Sequence, residues 1–304
     1  MPRISTFGAS QTALANLMQT QREMFDAQSQ LTTGKKATDL KGVGHQAETL
    51  SAARSALASA KAYEEAGVRS GARLEAQDVA LERLADSAST LRVAMTSSDG
   101  DFIMDQVRDA FYSSYNALTT QHAGAYVFGG TRSDVNPLTI NSLSDLIPLA
   151  SAGDAFQNNT RQPQVQLDQN IKVTVGELAD NIGEDLIASF KRIAEFDAGA
   201  DGPFTQPMTP AQDTFMRTEL PLIVSALEEI NSKVGESGAN RARVETLTRS
   251  HQDRQTFLTK MLSDLEDVDM AQAATRFQQA QVAIEVSAKT FSTLSQVSLL
   301  PFLR

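Results

Sequence analysis

Residues 74–95 read LEAQDVALERLADSASTLRVAM, where Leu74, Leu81, Ala88 and Met95 fall in one seven-residue column and Leu84 and Leu91 in another. Such a repeat keeps an apolar seam on one side of a slightly underwound helix, and the seam is buried only by a partner helix. Leu50 and Leu57 extend the same spacing upstream. Downstream, Asp99-Gly100-Asp101 predicts a turn and an N-cap, after which Met104, Phe111 and Leu118 make a further column that ends before Gly124. Two amphipathic helices joined by so short a turn predict an antiparallel helical hairpin.

The ends of the chain carry the same signal. Leu14, Leu17, Met18, Met24, Phe25 and Leu31 mark an amphipathic helix, in which Leu17, Met24 and Leu31 repeat at seven with Met18 and Phe25 beside them. It should stop at Thr33-Gly34-Lys35-Lys36, with Gly34 taking the left-handed conformation and the lysines facing the negative helix end. Gly42 and Gly44 then predict a loop. Beyond the middle, Thr209-Pro210-Ala211-Gln212 is a helix start, with Thr as cap, Pro at the first position and Gln closing a capping box. Leu220, Ile223, Leu227, Ile230 and Val234 follow as a stripe, Pro221 predicts a kink, and Gly235 and Gly238 predict an interruption. Val244, Leu247, Leu258, Met261, Leu265 and Val268 resume the pattern, and Phe277, Ile284 and Phe291 carry it towards Arg304.

The middle is different. Gly129-Gly130, Asn136-Pro137, Gly153 and Asn158-Asn159 break the helical period, and Val165, Leu167, Ile171, Val173 and Val175 alternate with polar residues around Asp168-Gln169-Asn170, which predicts a β-hairpin. A helix over about 183–196 is expected to pack on that hairpin. Tyr126-Val127-Phe128-Gly129-Gly130-Thr131, at the junction of helical and mixed regions, reads as a hinge. The fold class is therefore mainly α, with long terminal coiled-coil helices and a helical-hairpin rod around an inserted α+β, hairpin-containing middle domain. The ends should pair while the centre projects.

Charge divides the chain in the same way. Residues 1–36 carry four basic and two acidic side chains, residues 266–304 three basic and four acidic, so the ends sum to +1 and the centre holds −11 of a total of −10. Nearly neutral apolar ends suit packing against other chains, and an acidic centre suits water. An acidic chain is also poorly suited to nucleic acid, whose affinity comes from neutralised phosphates. With no Cys there are no disulfides, thiolate nucleophiles or cysteine-ligated metals, and with no Trp and 6% aromatic residues there are few rigid stacking surfaces for a ligand.

No apolar run approaches the 18 or so residues of a membrane span. The start, Met1-Pro2-Arg3-Ile4-Ser5-Thr6, lacks the apolar block of a cleaved signal, so a cleaved secretory signal is not expected, and export, if it occurs, would use another route. Gly34-Lys35 is not a phosphate loop, because Ser29 and Lys36 stand where Gly and Ser or Thr are needed. Asp264, Asp267 and Asp269 are expected on a solvated helix face or at a register break, since residues two apart on a helix diverge too far to clamp one ion. His251 falls on the heptad column between Val244 and Leu258, and His122 precedes Gly124, so a tolerated core position and a cap are the expectations. No catalytic, cofactor or metal residue is assigned.

Several of these stretches resemble the flagellin superfamily. Arg3-Ile4-Ser5-Thr6, Gln30-Leu31-Thr32-Thr33-Gly34-Lys35-Lys36 and Leu265-Glu266-Asp267-Val268-Asp269-Met270-Ala271 are similar to its terminal signatures. Tyr126–Thr131, together with Phe291-Ser292 leading into Leu294-Ser295-Gln296-Val297-Ser298-Leu299, resembles the hook–filament junction members more than the filament flagellins. Leu300-Pro301-Phe302-Leu303-Arg304 resembles a flagellin ending, and Ala37-Thr38-Asp39-Leu40 departs from the turn usual in the family.

The resemblance implies a secreted structural protein, exported by the flagellar type III channel and located at the hook–filament junction of the bacterial flagellum, with filament subunit as the alternative and a cytoplasmic helical signalling rod as a distant one. It implies self-association in a helical ring, with hook-associated protein 1 on the hook side, flagellin on the filament side and an export chaperone as partners, and neither nucleic acid nor membrane insertion. It implies terminal coiled-coil helices at 1–36 and 266–304, a rod at 37–132 and 214–265, and a variable domain at 133–213. Leu14, Leu17, Met24, Leu31, Leu265, Phe277, Ile284, Phe291 and Leu294 are the expected assembly contacts.

Overall fold

A computed structural model describes residues 2–39, 44–97 and 99–299, without the side chains of 2–7, 9, 10, 45 and 294–299. Gly42, residues 300–304 and the Leu294 side chain thus lie outside the described residues. Six α-helices are described: α1 (Pro2–Thr33), α2 (Ala47–Ala94), α3 (Gly100–Leu118), α4 (Ala179–Ala198), α5 (Pro210–Glu266) and α6 (Met270–Leu299). Two small antiparallel sheets stand between α3 and α4, one of β1 (Gln121–His122) with β2 (Ala125–Tyr126), the other of β3 (Gln164–Asp168) with β4 (Ile171–Thr174). The chain divides into two compact units, residues 60–253 and residues 1–59 with 254–304, and both boundaries fall inside helices α2 and α5.

The 60–253 unit holds the large core. Asp99 caps α3 by accepting from the Asp101 N–H, as the turn chemistry predicts. Leu81, Leu84, Ala88 and Leu91 of α2 and Ile103, Val107, Phe111 and Leu118 of α3 are at most 1% exposed. They share one cluster with Leu186, Ile187 and Phe190 of α4 and Ile223 and Ile230 of α5. Phe111 meets Phe190 edge to face, with ring centroids 5.5 Å apart. Arg192 of α4 forks onto Glu219 of α5 with Nε–Oε2 at 2.9 Å and Nη2–Oε1 at 2.6 Å, so a carboxylate only 2% exposed is fully engaged.

The helix α4 starts at Ala179, four residues before the expected Gly183. Its cap residue Leu178 has no side-chain capping bond, and the start is set by the Ala179 N–H donating to Phe128 O (3.1 Å). Gly183 serves a close approach, since a Cβ there would lie 3.0 Å from Leu118 Cδ1.

The β3–β4 hairpin forms where alternation predicts it, with Val165 opposite Val173 and an irregularity between Gln166 and Asp168. It does not pack on α4 as expected. Leu167, Val173 and Val175 are buried against Leu74 of α2 and Val244 of α5. His251, on α5, donates from Nε2 to Leu167 O at 2.6 Å while its ring lies 5.3 Å from that of Tyr63. The heptad-column histidine is therefore a clasp on the hairpin. His122 is not a helix cap, because α3 has already ended at Leu118 and His122 pairs with Ala125 across a turn in which Ala123 and Gly124 both have positive φ.

Two further expectations fail for tertiary reasons. Gly235 and Gly238 do not interrupt α5, which runs 57 residues through both and through Pro221. A helical Gly costs about 1 kcal/mol relative to Ala, and the segment is held by buried partners. Ser237 donates to Asp78 (2.6 Å) and accepts from Gln77 (3.1 Å), and Arg241 pairs with Asp78 at 2.8 Å. Tyr126–Thr131 is no hinge either. Val127 and Phe128 are fully buried, Val127 O accepts from Arg73 Nη2 (2.9 Å), Phe128 O from Ala179 N, and Gly129 O from Asn159 N. Gly130 has φ +68° and a Cβ there would meet Asn159 O at 2.9 Å, so the double glycine allows a tight turn inside the core.

Candidate assembly surface

The 1–59/254–304 unit brings two of the quoted signatures together. α1 ends at Gly34, whose φ is +69° and whose N–H bonds to Gln30 O (2.8 Å), the expected stop. The chain then pairs with the break between α5 and α6. Lys36 N donates to Glu266 O (2.7 Å), Val268 N to Gly34 O (3.0 Å), and Lys35 and Asp267 form an antiparallel bridge. Side chains lock the same junction. Lys35 pairs with Glu266, and Arg54 of α2 reaches the other Glu266 oxygen at 2.7 Å. The Lys35 hydrogen bond, with Arg54 adding to it against the opposing effect of burial, holds the Glu266 carboxyl below the usual carboxylate range.

The lysines therefore serve a helix other than the expected one. Lys36 Nζ donates to the carbonyls of Asp264 (2.7 Å) and Leu265 (3.2 Å), so it caps the C-terminal end of α5 rather than α1. The three aspartates do not share a helix. Asp267 lies in the break and accepts from Ser263, and Asp269 caps α6 by accepting from the N–H groups of Ala271 (2.9 Å) and Gln272 (3.1 Å). This is the register break, one of the two sequence expectations. No group of three or more His, Asp or Glu that could hold a metal occurs among the described residues.

Because the end of α1 meets the start of α6, the two helices pair antiparallel. Their less exposed positions recur at alternating spacings of three and four, Ala13, Leu17, Thr20, Met24, Ala27 and Leu31 on one, Ala273, Phe277, Ala280, Ile284, Ser287 and Phe291 on the other. Only the alanines are fully buried, Ala27, Ala273 and Ala280 at 5% or less.

The expected contacts separate on this geometry. Leu17, Met24, Leu31, Phe277, Ile284 and Phe291 are half-buried along the seam within the chain. Leu265 is half-buried at the end of α5, and Leu14 is exposed on a different face of α1. Missed from the sequence is the face to which Leu14 belongs, where Met18 and Phe25 are 53% and 61% exposed; elsewhere in the pair, Val282 and Val286 of α6 are each 60% exposed. The signal was present, since Met18 and Phe25 form a second column beside the first. Choosing between two parallel columns needed the partner helix.

On another flank of the pair, a groove of about 410 Å³ is floored by Ala27, Ala280 and Ala283 and rimmed by Glu23, Asp26 and Arg276. No described helix is long and apolar enough to cross a membrane.

Residues 220–303, which include most of α5, the break and α6, match the family described as the bacterial flagellin C-terminal helical region. No curated protein matches the sequence. Among solved structures, a protein of Vibrio parahaemolyticus described as a flagellar hook-associated protein is similar at TM-score 0.58 and 15% identity, over 73% of this chain and 97% of that one. Bacillus cereus FlgL is similar at TM-score 0.50 and 14% identity, over 65% and 98%. The C-terminal part of the chain is thus similar to the flagellin C-terminal helical region. The fold of the chain is that of flagellar hook-associated proteins.

Proposed function

We propose that this chain is a secreted structural subunit of the bacterial flagellum at the hook–filament junction, acting by packing and not by catalysis. The observation that carries the reading is the latch. The segments 30–36 and 265–271, chosen from the sequence alone, meet in one hydrogen-bonded junction within a fold shared with hook-associated proteins. In this reading 1–36 and 266–304 form the inner, polymer-building pair, 37–132 and 214–265 the rod, and 133–213 the variable region. Seam residues Leu17, Met24, Leu31, Phe277, Ile284 and Phe291 hold the pair together, Leu265 lies at the end of α5, Leu14 lies on the outward face of the pair, and Leu294 is kept as an assembly contact from its place in the sequence. The subunits form a helical ring, with hook-associated protein 1 on one side, flagellin on the other, and an export chaperone before assembly.

The seam supports a further element of the proposal, that the terminal pair orders on assembly. A helix pair whose fully buried positions are alanines removes little apolar area from water, and long helices depend on packing for stability. Circular dichroism of dilute monomer should therefore show less helix than six ordered helices require. Full helicity would count against it.

The location is tested by electron cryomicroscopy of flagella carrying a small tag at the exposed Gln169–Asn170 turn. A narrow band of label between hook and filament is expected. Label along the whole filament would instead favour a filament subunit, the reading to which the flagellin match over 220–303 also lends support.

A further inference from the structure

Leu14, Met18 and Phe25 project from one side of α1, and the groove opens on nearly the opposite side. At 100° per residue, the stripe lies roughly 160° around the helix from the groove-lining Thr20, Glu23 and Ala27. A unit with projecting side chains on one flank and a small-residue recess on the other cannot satisfy both within itself. It can satisfy both with copies of itself.

We propose that Met18 and Phe25 of one subunit insert into the groove floored by Ala27, Ala280 and Ala283 of a second copy of this chain, in a head-to-tail contact. This rests on the assembly reading above and specifies its contact. Length agrees, because Met18 and Phe25 are one heptad apart, about 10.5 Å of helix, and the α1 side of the groove from Thr20 to Gln30 spans about 15 Å. Charge agrees as well. Arg22 lies one turn from both Met18 and Phe25, and the groove rim of Glu23, Asp26 and Arg276 carries a net −1. The exposed Val282 and Val286 add apolar surface on α6. Because the stripe and the groove point to nearly opposite sides of α1, one pair of copies cannot make both contacts at once, and the contact does not close on a two-fold axis. It repeats, giving a ring or helix rather than a dimer.

The chain has no Cys, so engineered cysteines report without background from its own sulfur. The doubly substituted chain, Phe25→Cys with Ala283→Cys, is expressed in the flagellated cell. Flagella are isolated, oxidised and run on a denaturing, non-reducing gel. A ladder at multiples of 32.8 kDa is expected from the double variant, and monomer alone from each single variant. A disulfide needs Cα atoms within about 7 Å, which the two flanks of one subunit do not offer.

Phe25→Glu, an exposed change that leaves the seam intact, should lower incorporation about tenfold or more. Dimers from Phe25→Cys alone would mean a two-fold contact and overturn the proposal. So would absence of a ladder from incorporated double variant, or adducts at other masses, which would place a different protein in the groove. Protein missing from the flagella altogether would sink the junction reading itself, whereas protein present without a ladder would sink only these faces.

Discussion

The two compact units use similar helical patterns to opposite ends. In 60–253 the largest side chains are the most buried, with Phe111, Phe128 and Phe190 fully excluded from water. In 1–59/254–304, Leu50 and Leu258, at 1% and 7%, are the buried large apolar side chains among the described residues, while Phe25, Phe257, Val282 and Val286 are each at least 60% exposed. The central unit also exposes Phe102 and Leu222, but around a core that is complete. The lesson is that heptad spacing reports a capacity to pack. Whether it is spent inside the chain or left for another chain depends on side-chain size at the seam.

The strongest way to break the contrast is a cavity in each unit. Phe190→Ala should cost about 3–5 kcal/mol, read by urea denaturation. Met24→Ala, in the terminal pair proposed to order only on assembly, should cost well under about 1 kcal/mol in the same assay of the monomer. Equal costs would mean that the terminal pair is as well packed as the central core.

A second substitution tests close approach. A Cβ on Gly67 of α2 would lie 2.1 Å from Thr248 Oγ1 of α5, and that hydroxyl is already bonded to Val244 O at 2.8 Å. Gly67→Ala should destabilise by about 1–3 kcal/mol, and the added change Thr248→Ala should restore most of the loss in the same denaturation assay.

Acid should separate the units by sign. Glu266 is held low by Lys35 and Arg54, so its contribution is present above the unfolded-state pKa and is lost as pH falls through its lower folded value. Glu177 is pushed up, first by burial, with repulsion from Glu236 adding and attraction to Lys233 and the Gln162 hydrogen bond opposing. Its neutral form is favoured by folding. Its cost is therefore absent below the unfolded-state pKa and grows as pH rises through the folded value.

Between pH 7 and about 3, hydrogen exchange should show the latch opening before the central core. Glu266→Gln should remove that acid response from the latch at a cost of about 1–2 kcal/mol near neutrality. Glu177→Gln should make the central unit less sensitive to rising pH. The reverse order of opening would refute the assignment.

The smallest effect concerns Gly235 and Gly238. Nothing stands within 4 Å of a Cβ at either position, so each change to Ala should stabilise by about 0.5–1 kcal/mol, raising the melting temperature. Destabilisation would reveal a need for the glycines that the monomer does not show.

How much of this was legible follows from the range of the forces involved. The stop at Gly34, the Asp99 cap, the Thr209–Gln212 box and the β3–β4 alternation are local. In the box, Thr209 N donates to Gln212 Oε1 (3.0 Å) and Gln212 N to Thr209 Oγ1 (3.3 Å), as the sequence predicts. The start of α4 was hidden because its first two N–H groups are held by Phe128 O and by the Asn158 side chain, both far along the chain. Pairing of the hairpin with Leu74 and Val244 was hidden for the same reason. Of the assembly surface, the seam was legible as the stronger of two heptad columns, and the outward face was not, because both columns are apolar and only the partner helix distinguishes them.

The amino-acid sequence by itself determined the class of the protein: helices at both ends, a broken middle, caps and stops at the right places, all properties of residues within a few positions of one another. Only the tertiary structure decided that 30–36 joins 265–271, that the double glycine is a core turn, and which apolar face of α1 is left over. The glycine turn depends on partners roughly thirty to fifty residues away, and the other two on surfaces that meet across more than two hundred, where burial of one column by a partner removes it from water and leaves the other exposed.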